Sequence, residues 1–517
     1  MKSKRTRICT SICASSVEEI KLAAIRAANS ADLIELRLDC LDVSLGLEAL
    51  RDIKALFPDI PVPVIVTYRP SEQGGRRDLS AKLRLLFWLF NRPAADFFDV
   101  EFDIATAPSV FESDKHFDWS RVISSYHNFH EVPADLSAIY ERMSNTRARI
   151  LKIAVQATDA IDCLPVFQLL ERGISDGQTM ITIAMGAPGL ATRVLGPSRG
   201  AFLTYASLDG DKATAPGQVS AGELRELYRI EKIDRQTQIT GLIGHPVGHS
   251  LSPYLHNAAF DSVAVNAVYV PFEVSDLRSF ISRMVHPKTR ELDWNIRGLS
   301  VTAPHKAAVM DHLDWIDLPA REIGAVNTIV VEGDQLRGYN TDAEGFIKPL
   351  LKRRGVLKGV RCAVIGTGGA SRAAVWSLLK QEADVTVFGR DLEAARALAK
   401  SFGAAWSNLD SASFAGFSAV VNATPLGTAG SLETETPALA NQLAGASFVY
   451  DLVYNPIPTR FLTEAESVGC ETLGGLEMLI TQAEAQFELW TGVPSPVGVM
   501  NAAANRALGS NSSEYKL

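Results

Sequence analysis

The stretch RILKIAV, residues 149–155, is an apolar run interrupted by a single lysine, Lys152. Similar short runs stand on either side of it. RICTSICA (7–14), DLIELRLD (32–39), PVIVTYR (63–69), FFDVEF (97–102) and RVISSYH (121–127) precede it, and TMITIAM (179–185) and AFLTYAS (201–207) follow. Segments between them, such as SVEEIKLAAIRAANS (16–30) and DAIDCLPVFQLLERG (159–173), space their apolar residues as helices do. Eight strands alternating with helices over residues 1–228 predict an α/β fold, a (β/α)8 barrel, with a doubly wound sheet as the competitor.

Polar residues sharpen the reading. In a barrel the C-terminal ends of the strands carry the chemistry. Arg37, Arg69 and His127 fall at or near such ends, and Glu35, Asp99, Glu101 and Lys152 fall within strands. They are placed to converge on one small polar ligand. Two readings of Lys152 stand side by side. Its stem can lie along the strand while the ammonium reaches water. Inside the barrel, desolvation would instead lower its pKa and free the amine as a nucleophile.

The stretches ELRLD, TYRP, SYHNF, LKIAV, ATRV and ATAPGQVS occur in the order and spacing of type I 3-dehydroquinate dehydratases, which residues 7–228 resemble. The resemblance implies an imine mechanism in which Lys152 attacks the ketone of 3-dehydroquinate. His127 would move the proton of the neighbouring carbon, protonate the departing hydroxyl and also assist formation and hydrolysis of the imine. Arg193 would pair with the substrate carboxylate. Glu35, Arg37 and Arg69 would hold hydroxyls, Thr214 and Gln218 would come from a closing loop, and Asp99 and Glu101 would orient cationic neighbours. Two departures stand out: Gln73 occupies a position where the family usually has glutamate, and Thr214 one where serine is common.

A polar stretch, YRIEKIDRQTQ (228–238), reads as a linker, with 229–238 as its bounds. Beyond it, RCAVIGTGGASRAAVWSLL (361–379) reads as strand, glycine turn and helix. Gly366, Gly368 and Gly369 allow a tight turn and close approach of backbone to a pyrophosphate, and the helix from Ala370 offers its first amides to that anion. Ser371 replaces the usual third glycine or alanine. At the tip of the next predicted strand, Arg390 favours the 2′-phosphate of NADP, whereas Asp391 beside it could accept a ribose hydroxyl.

Eight stretches, HSLSP, SVTAPHK, AVNT, GYNTD, IGTGGASRA, NATPLG, YDLVYNP and GGLEMLITQA, make residues 239–505 resemble shikimate dehydrogenase. This implies a substrate lobe, 239–345, completed by 476–517, and a Rossmann-like NADP lobe, 346–475. Ser250 and Ser252 would meet the substrate carboxylate, with Tyr454 nearby. Thr302, Asn327 and Gln482 would bind ring hydroxyls, Lys306 and Asp342 would form the catalytic pair, and Thr424 would lie beside the nicotinamide. His249 reads as a structural residue as readily as a functional one.

Taken together, the two resemblances imply a bifunctional enzyme of the shikimate pathway. It would dehydrate 3-dehydroquinate to 3-dehydroshikimate and reduce that to shikimate with NADPH. Rival readings are a quinate dehydrogenase, a class I aldolase in the first half, and an inactive metabolite sensor. A formal charge of −8 opposes nucleic acid or an anionic membrane as partner. No run of about 18 apolar residues occurs. Six scattered cysteines without C-x-x-C pairs are read as reduced, buried thiols with no metal site. The basic start, MKSKRTRICTSICASS, lacks a signal-peptide pattern. The expected location is the cytoplasm, with a plastid as the alternative.

Overall fold

The computed structural model of the 517-residue chain describes residues 6–42, 46–90, 95–106, 118–208, 215 and 217–514. Its first sheet is made of eight parallel strands. These are β1 (Ile8–Ile12), β2 (Leu33–Arg37), β3 (Val64–Thr67), β4 (Phe97–Glu101), β5 (Val122–Asn128), β6 (Ile150–Gln156), β7 (Thr179–Met185) and β8 (Thr204–Ala206). They run in the order β7-β6-β5-β4-β3-β2-β1-β8. Phe202 N, just ahead of β8, donates to Met180 O of β7 at 2.7 Å and brings the ring near closure.

Alternation along the strands explains what fills this barrel. Its floor is one buried apolar cluster that includes Cys9, Leu33, Ile65, Ile123, Ile150, Ile181 and Leu203. Two residues further along, the inward positions turn polar: Ser11, Glu35, Thr67, Ser125 and Lys152, all buried, as is Asp99 of β4. The outward residues between them, such as Leu36, Val66, Val100, Leu151 and Ile153, belong to clusters shared with the surrounding helices. A one-residue register slip would bury the apolar set inside and expose the charges to the helices.

Cys13 follows β1 and Cys40 follows the neighbouring β2, so their Cα atoms lie 5.3 Å apart and the two form a disulfide. The expectation of six reduced thiols is corrected here. Their separation of 27 residues carries no signal in the sequence; adjacency of the strands creates the contact. Cys9, Cys163, Cys362 and Cys470 are free and buried.

The second sheet contains β9 (Gln238–Gly244), β10 (Ala267–Glu273), β11 (Ile296–Val301), β12 (Trp315–Ile316), β13 (Thr328–Glu332) and β14 (Gln335–Tyr339), in the order β10-β9-β11-β13-β14-β12. The third contains β15 (Arg361–Ile365), β16 (Asp384–Gly389), β17 (Ala405–Asn408), β18 (Ala419–Asn422), β19 (Phe448–Asp451) and β20 (Glu471–Leu473). Its order, β17-β16-β15-β18-β19-β20, is that of a dinucleotide-binding sheet, with a crevice where the order reverses between β15 and β18. After it the chain returns to the second sheet. Trp490 of helix Leu476–Thr491 donates to Ile329 O at 3.0 Å, and Met500, Ala504 and Ala507 pack with Leu255 and Phe260.

Residues 229–238 are packed rather than free. Ile230 and Ile233 are buried, and Arg229 and Lys232 each pair with Asp261 at 2.7 Å. The barrel also touches the second sheet directly. Asp159, in the loop after β6, accepts from the amides of Ser275 (2.6 Å) and Asp276 (2.9 Å), just past β10. Phe167 meets Trp294 edge-on at 6.0 Å, and Arg199 donates to Asp293 O at 2.6 Å. The two halves share one buried apolar cluster through these contacts.

Candidate active sites

The mouth of the barrel holds a cleft of about 450 Å³, open space included, lined by Glu35, Arg37, Arg69, His127, Lys152 and Arg193 among others. At its base Lys152, 5 % exposed, donates from Nζ to Asp99 Oδ2 at 2.8 Å and to the Tyr205 hydroxyl at 3.0 Å. Glu35 Oε1 lies 3.6 Å away. Of the two placements of the lysine, the ammonium takes the one inside the barrel and does not reach along the strand to bulk water. Asp99 also takes Ser125 Oγ at 2.5 Å and faces Arg69 Nη2 at 2.9 Å. Glu35 accepts from Thr67 Oγ1 at 2.7 Å and from Ser11 Oγ. Burial alone would raise the pKa of both carboxyls. Arg69 and Lys152 outweigh it at Asp99, and Lys152 with Arg37 and Arg69 outweighs it at Glu35, so both are held low.

His127 stands at the end of β5 with Arg69 Nη1 2.6 Å from its Nε2. Burial, then the charges of Arg69 and Lys152, push its pKa well below the ordinary imidazole value. Arg37 is held in a two-point contact by Asp39 (2.9 and 2.7 Å) and donates to Gly74 O at 3.0 Å. Gly74 has φ +80°, and a β-carbon there would meet the Phe129 ring at 2.2 Å, so glycine is required at this edge of the cleft. Arg193, on helix Leu190–Leu195, donates to Tyr205 O at 3.3 Å; burial lowers its pKa to about 10.

Gln218 lines the cleft, whereas Thr214 lies outside the described residues. Gln73 lines it too, with its Oε1 buried and unpaired. Glu101 is set back from the cleft. It faces Arg84 at 3.4 Å, and burial, only partly offset by Arg69, pushes its carboxyl up to about 7. The sequence reading missed Tyr205, Ser11, Thr67 and Ser125. Their signal is register: each occupies the same inward layer as Lys152 on its own strand.

A second polar group forms at one edge of the second sheet. β9 and β11 run parallel, and β13 and β14 alternate, so the ends carrying Ser250, Thr302, Asn327 and Asp342 leave the same edge. Lys306 Nζ lies 2.5 Å from Asp342 Oδ2, while Asn327 Nδ2 donates to Asp342 Oδ1 at 2.8 Å and to Thr341 Oγ1 at 2.9 Å. Lys306 O accepts from Val326 N at 2.7 Å, which ties the two loops together. Ser252 N donates to Ser250 Oγ at 3.2 Å, and Tyr454 lies near Ser250. Thr302 lies over Gly244, where a β-carbon would come within 2.3 Å of its methyl group. Gln482 is buried but donates to Leu479 O of its own helix at 2.8 Å. His249 is exposed.

The glycine turn after β15 faces this group. A β-carbon on Gly369 would come within 3.0 Å of Lys306 Cδ, and one on Gly368 would meet open space. Gly366 has φ +121° and packs against Ser371 and Thr424. Helix Gly369–Lys380 begins there, with Ala370 in its first turn, so its first amides face a space that only glycine keeps clear. Asp391 caps the next helix by accepting from Ala394 N at 3.0 Å, while Arg390 beside it is exposed. Thr424 Oγ1 donates to Asn422 Oδ1 at 2.6 Å at the far side of the crevice.

Residues 8–235 match the family described as Type I 3-dehydroquinase. Residues 242–329 match the substrate-binding domain of shikimate dehydrogenase, and 475–504 match the shikimate 5'-dehydrogenase C-terminal domain. A bifunctional 3-dehydroquinate dehydratase/shikimate dehydrogenase from Arabidopsis thaliana is 35 % identical over 95 % of this chain and 82 % of its own length. The chain belongs to that bifunctional family. Relatives of its second half include the NADP(+) shikimate dehydrogenase of Methanocaldococcus jannaschii, 40 % identical over 52 % of this chain and 97 % of that protein. A crystal structure of a shikimate dehydrogenase in complex with NADP+ superposes with a TM-score of 0.50. It is 38 % identical over 53 % of this chain and 97 % of that one. The α/β fold expected for this bifunctional chain, a barrel followed by a Rossmann-like dehydrogenase, is the fold found. No helix among the described residues is long and apolar enough to cross a membrane.

Proposed function

We propose that the chain dehydrates 3-dehydroquinate to 3-dehydroshikimate in the barrel and reduces that product to shikimate with NADPH in the second half. The observation that carries this reading is the buried Lys152 ammonium, set among Asp99, Glu35 and Tyr205 at the base of a cationic cleft. In the barrel, Lys152 Nζ adds to the ketone and expels its oxygen as water, leaving a cationic imine that acidifies the neighbouring carbon. His127, kept neutral by burial beside Arg69, removes that proton and returns it to the departing hydroxyl. Arg193 takes the carboxylate: a guanidinium whose pKa burial has lowered to about 10 gains most from a bound anion. Glu35, Arg37, Arg69 and Gln218 hold the ring hydroxyls. Asp99 positions the lysine, and Glu101 acts through Arg84 and Arg69.

In the second half Lys306 stabilises the ketone oxygen as it gains charge, and Asp342 anchors both the lysine and the hydroxyl formed. Ser250, Ser252 and Tyr454 bind the carboxylate, with Thr302, Asn327 and Gln482 on ring hydroxyls. NADPH, when bound, supplies the hydride. Gly366, Gly368, Gly369 and Ala370 would cradle its pyrophosphate, Thr424 would border the nicotinamide, and Arg390 would meet the 2′-phosphate. Because Asp391 spends its carboxylate on capping a helix, Arg390 is the group left free to choose between NADP and NAD. The substrate lobe is residues 239–345 with 476–517, and the cofactor lobe 346–475.

A coupled assay with 3-dehydroquinate and NADPH, followed by product identification, tests the whole reading. Shikimate is the expected product. Accumulation of a conjugated enone without NADPH oxidation would remove the second half, and the absence of both enone and shikimate would remove the first.

The acid side of the pH profile is set by His127. Its pKa is depressed, so the neutral base survives to lower pH than a free imidazole would. Dehydratase kcat/KM is therefore expected to hold its value as pH falls past 6.5, with the acid limb below that point. A limb centred above 6.5 in the enone assay would contradict the placement of His127.

A further inference from the structure

Tyr205, in the middle of β8, is fully enclosed by the barrel, and the Lys152 ammonium sits 4.2 Å from its ring centroid and 3.0 Å from its hydroxyl. We propose that the Tyr205 hydroxyl is a further catalytic group of the dehydratase site. It relays protons between Lys152 Nζ and the ketone oxygen while the imine forms and when it is hydrolysed. The inference rests on Lys152 being the amine that forms the imine.

Proton balance shows what the relay must do. Counted from the ammonium, ketone plus lysine gives a protonated imine plus water. The nitrogen loses one proton, and its lone pair makes the C–N bond as the C=O π pair moves onto oxygen. A second proton then leaves nitrogen, the C–O bond breaks with its electrons on oxygen, and the nitrogen lone pair closes the C=N bond. Two protons leave nitrogen and two arrive on oxygen, so no outside acid, base or oxidant is consumed. What is needed is a group within reach of both atoms that can accept one proton while giving another.

The neighbouring carboxylates do not suit this task. Asp99 is held by Arg69, Ser125 and Lys152, and Glu35 by Ser11 and Thr67, and both are weak bases because cations hold their pKa values low. His127 is turned to Arg69. Tyr205 touches the nitrogen, and the oxygen of the tetrahedral adduct stands two bonds from that nitrogen. Burial, reinforced by Glu35, Cys9 and Asp99, pushes its pKa well above 10, so it stays a neutral phenol with both a proton and lone pairs.

The test uses the full chain. Tyr205→Phe keeps the ring under the ammonium and removes only the oxygen. Mixed with 3-dehydroquinate and quenched with borohydride at millisecond intervals, it is expected to form the trapped adduct roughly 10²-fold more slowly than the parent protein. KM is expected to stay unchanged, as is shikimate oxidation by the second half. In a second protein, 3,5-difluorotyrosine placed at position 205 lowers the phenol pKa. It should move the alkaline limb of adduct formation to lower pH, a shift that a packing role would not produce. Adduct formation at the parent rate in Tyr205→Phe overturns the inference. Should that variant fail to fold, an unmoved alkaline limb in the fluorinated protein does so instead. Absence of any adduct in the parent protein is a different failure: it removes Lys152 as the imine-forming amine.

Discussion

Lys152→Ala is expected to abolish the borohydride-trapped adduct and to lower dehydration by about 10³-fold or more, with shikimate oxidation unchanged. Among the described residues Lys152 is the one amine that lines the cleft, so the proposed covalent step goes with it. The substitution also removes the cation 2.8 Å from Asp99 and 3.6 Å from Glu35, leaving two buried carboxylates with less compensation. Breaking a buried pair in this way costs about 3–5 kcal/mol. Lys152→Arg separates the two effects: it restores a charge but cannot form an imine, and should recover stability without recovering the adduct. Mass spectrometry after reductive quenching, read beside thermal unfolding, decides the matter. An adduct persisting in Lys152→Ala would assign the chemistry to another residue.

Lys306→Ala is expected to cut shikimate oxidation by roughly 10³-fold while leaving dehydration intact. The 2.5 Å contact with Asp342 and the second hold on Asp342 by Asn327 fix the ammonium, and the proposed reaction brings the ketone oxygen to it. Loss of a group that acts mainly as charge develops should appear in kcat more than in KM. Asp342→Asn should fall in the same direction, since it frees the lysine and removes the acceptor for the new hydroxyl. Equal damage to both activities by either substitution would show that the two sites are not independent.

How far the sequence could anticipate these sites follows from particular residues. The eight apolar runs predict all eight barrel strands because each strand's outward face must meet a helix, and that demand is written locally. Lys152, His127, Arg37 and Arg69 were legible for the same reason, as polar breaks in apolar runs. Tyr205 was not, because a tyrosine in a strand reads as core. Only closure of the barrel, with β8 paired to β1 and Phe202 hydrogen-bonded to Met180 of β7 beside the lysine's strand, brings its hydroxyl to the lysine. The Cys13–Cys40 pair is hidden in the same way. The sequence favours Arg390 over Asp391 at the ribose site, and Asp391 is found capping the helix that follows. The stretch 229–238 read as a linker because it is polar, yet two of its charges, Arg229 and Lys232, are anchored on Asp261 and its two isoleucines are buried.

Asp159 sits in the loop beyond the strand that carries Lys152, and the amides it holds follow Val274. Val274 O lies 2.6 Å from Nε2 of His305, the residue before Lys306. A gene fission at residue 234 would strip this seam bare, leaving Phe167 and Arg199 on one fragment and Val274 and Trp294 on the other to face solvent. Such fragments would be driven to reassociate, and complementation in trans would restore the lost contacts without restoring the peptide bond.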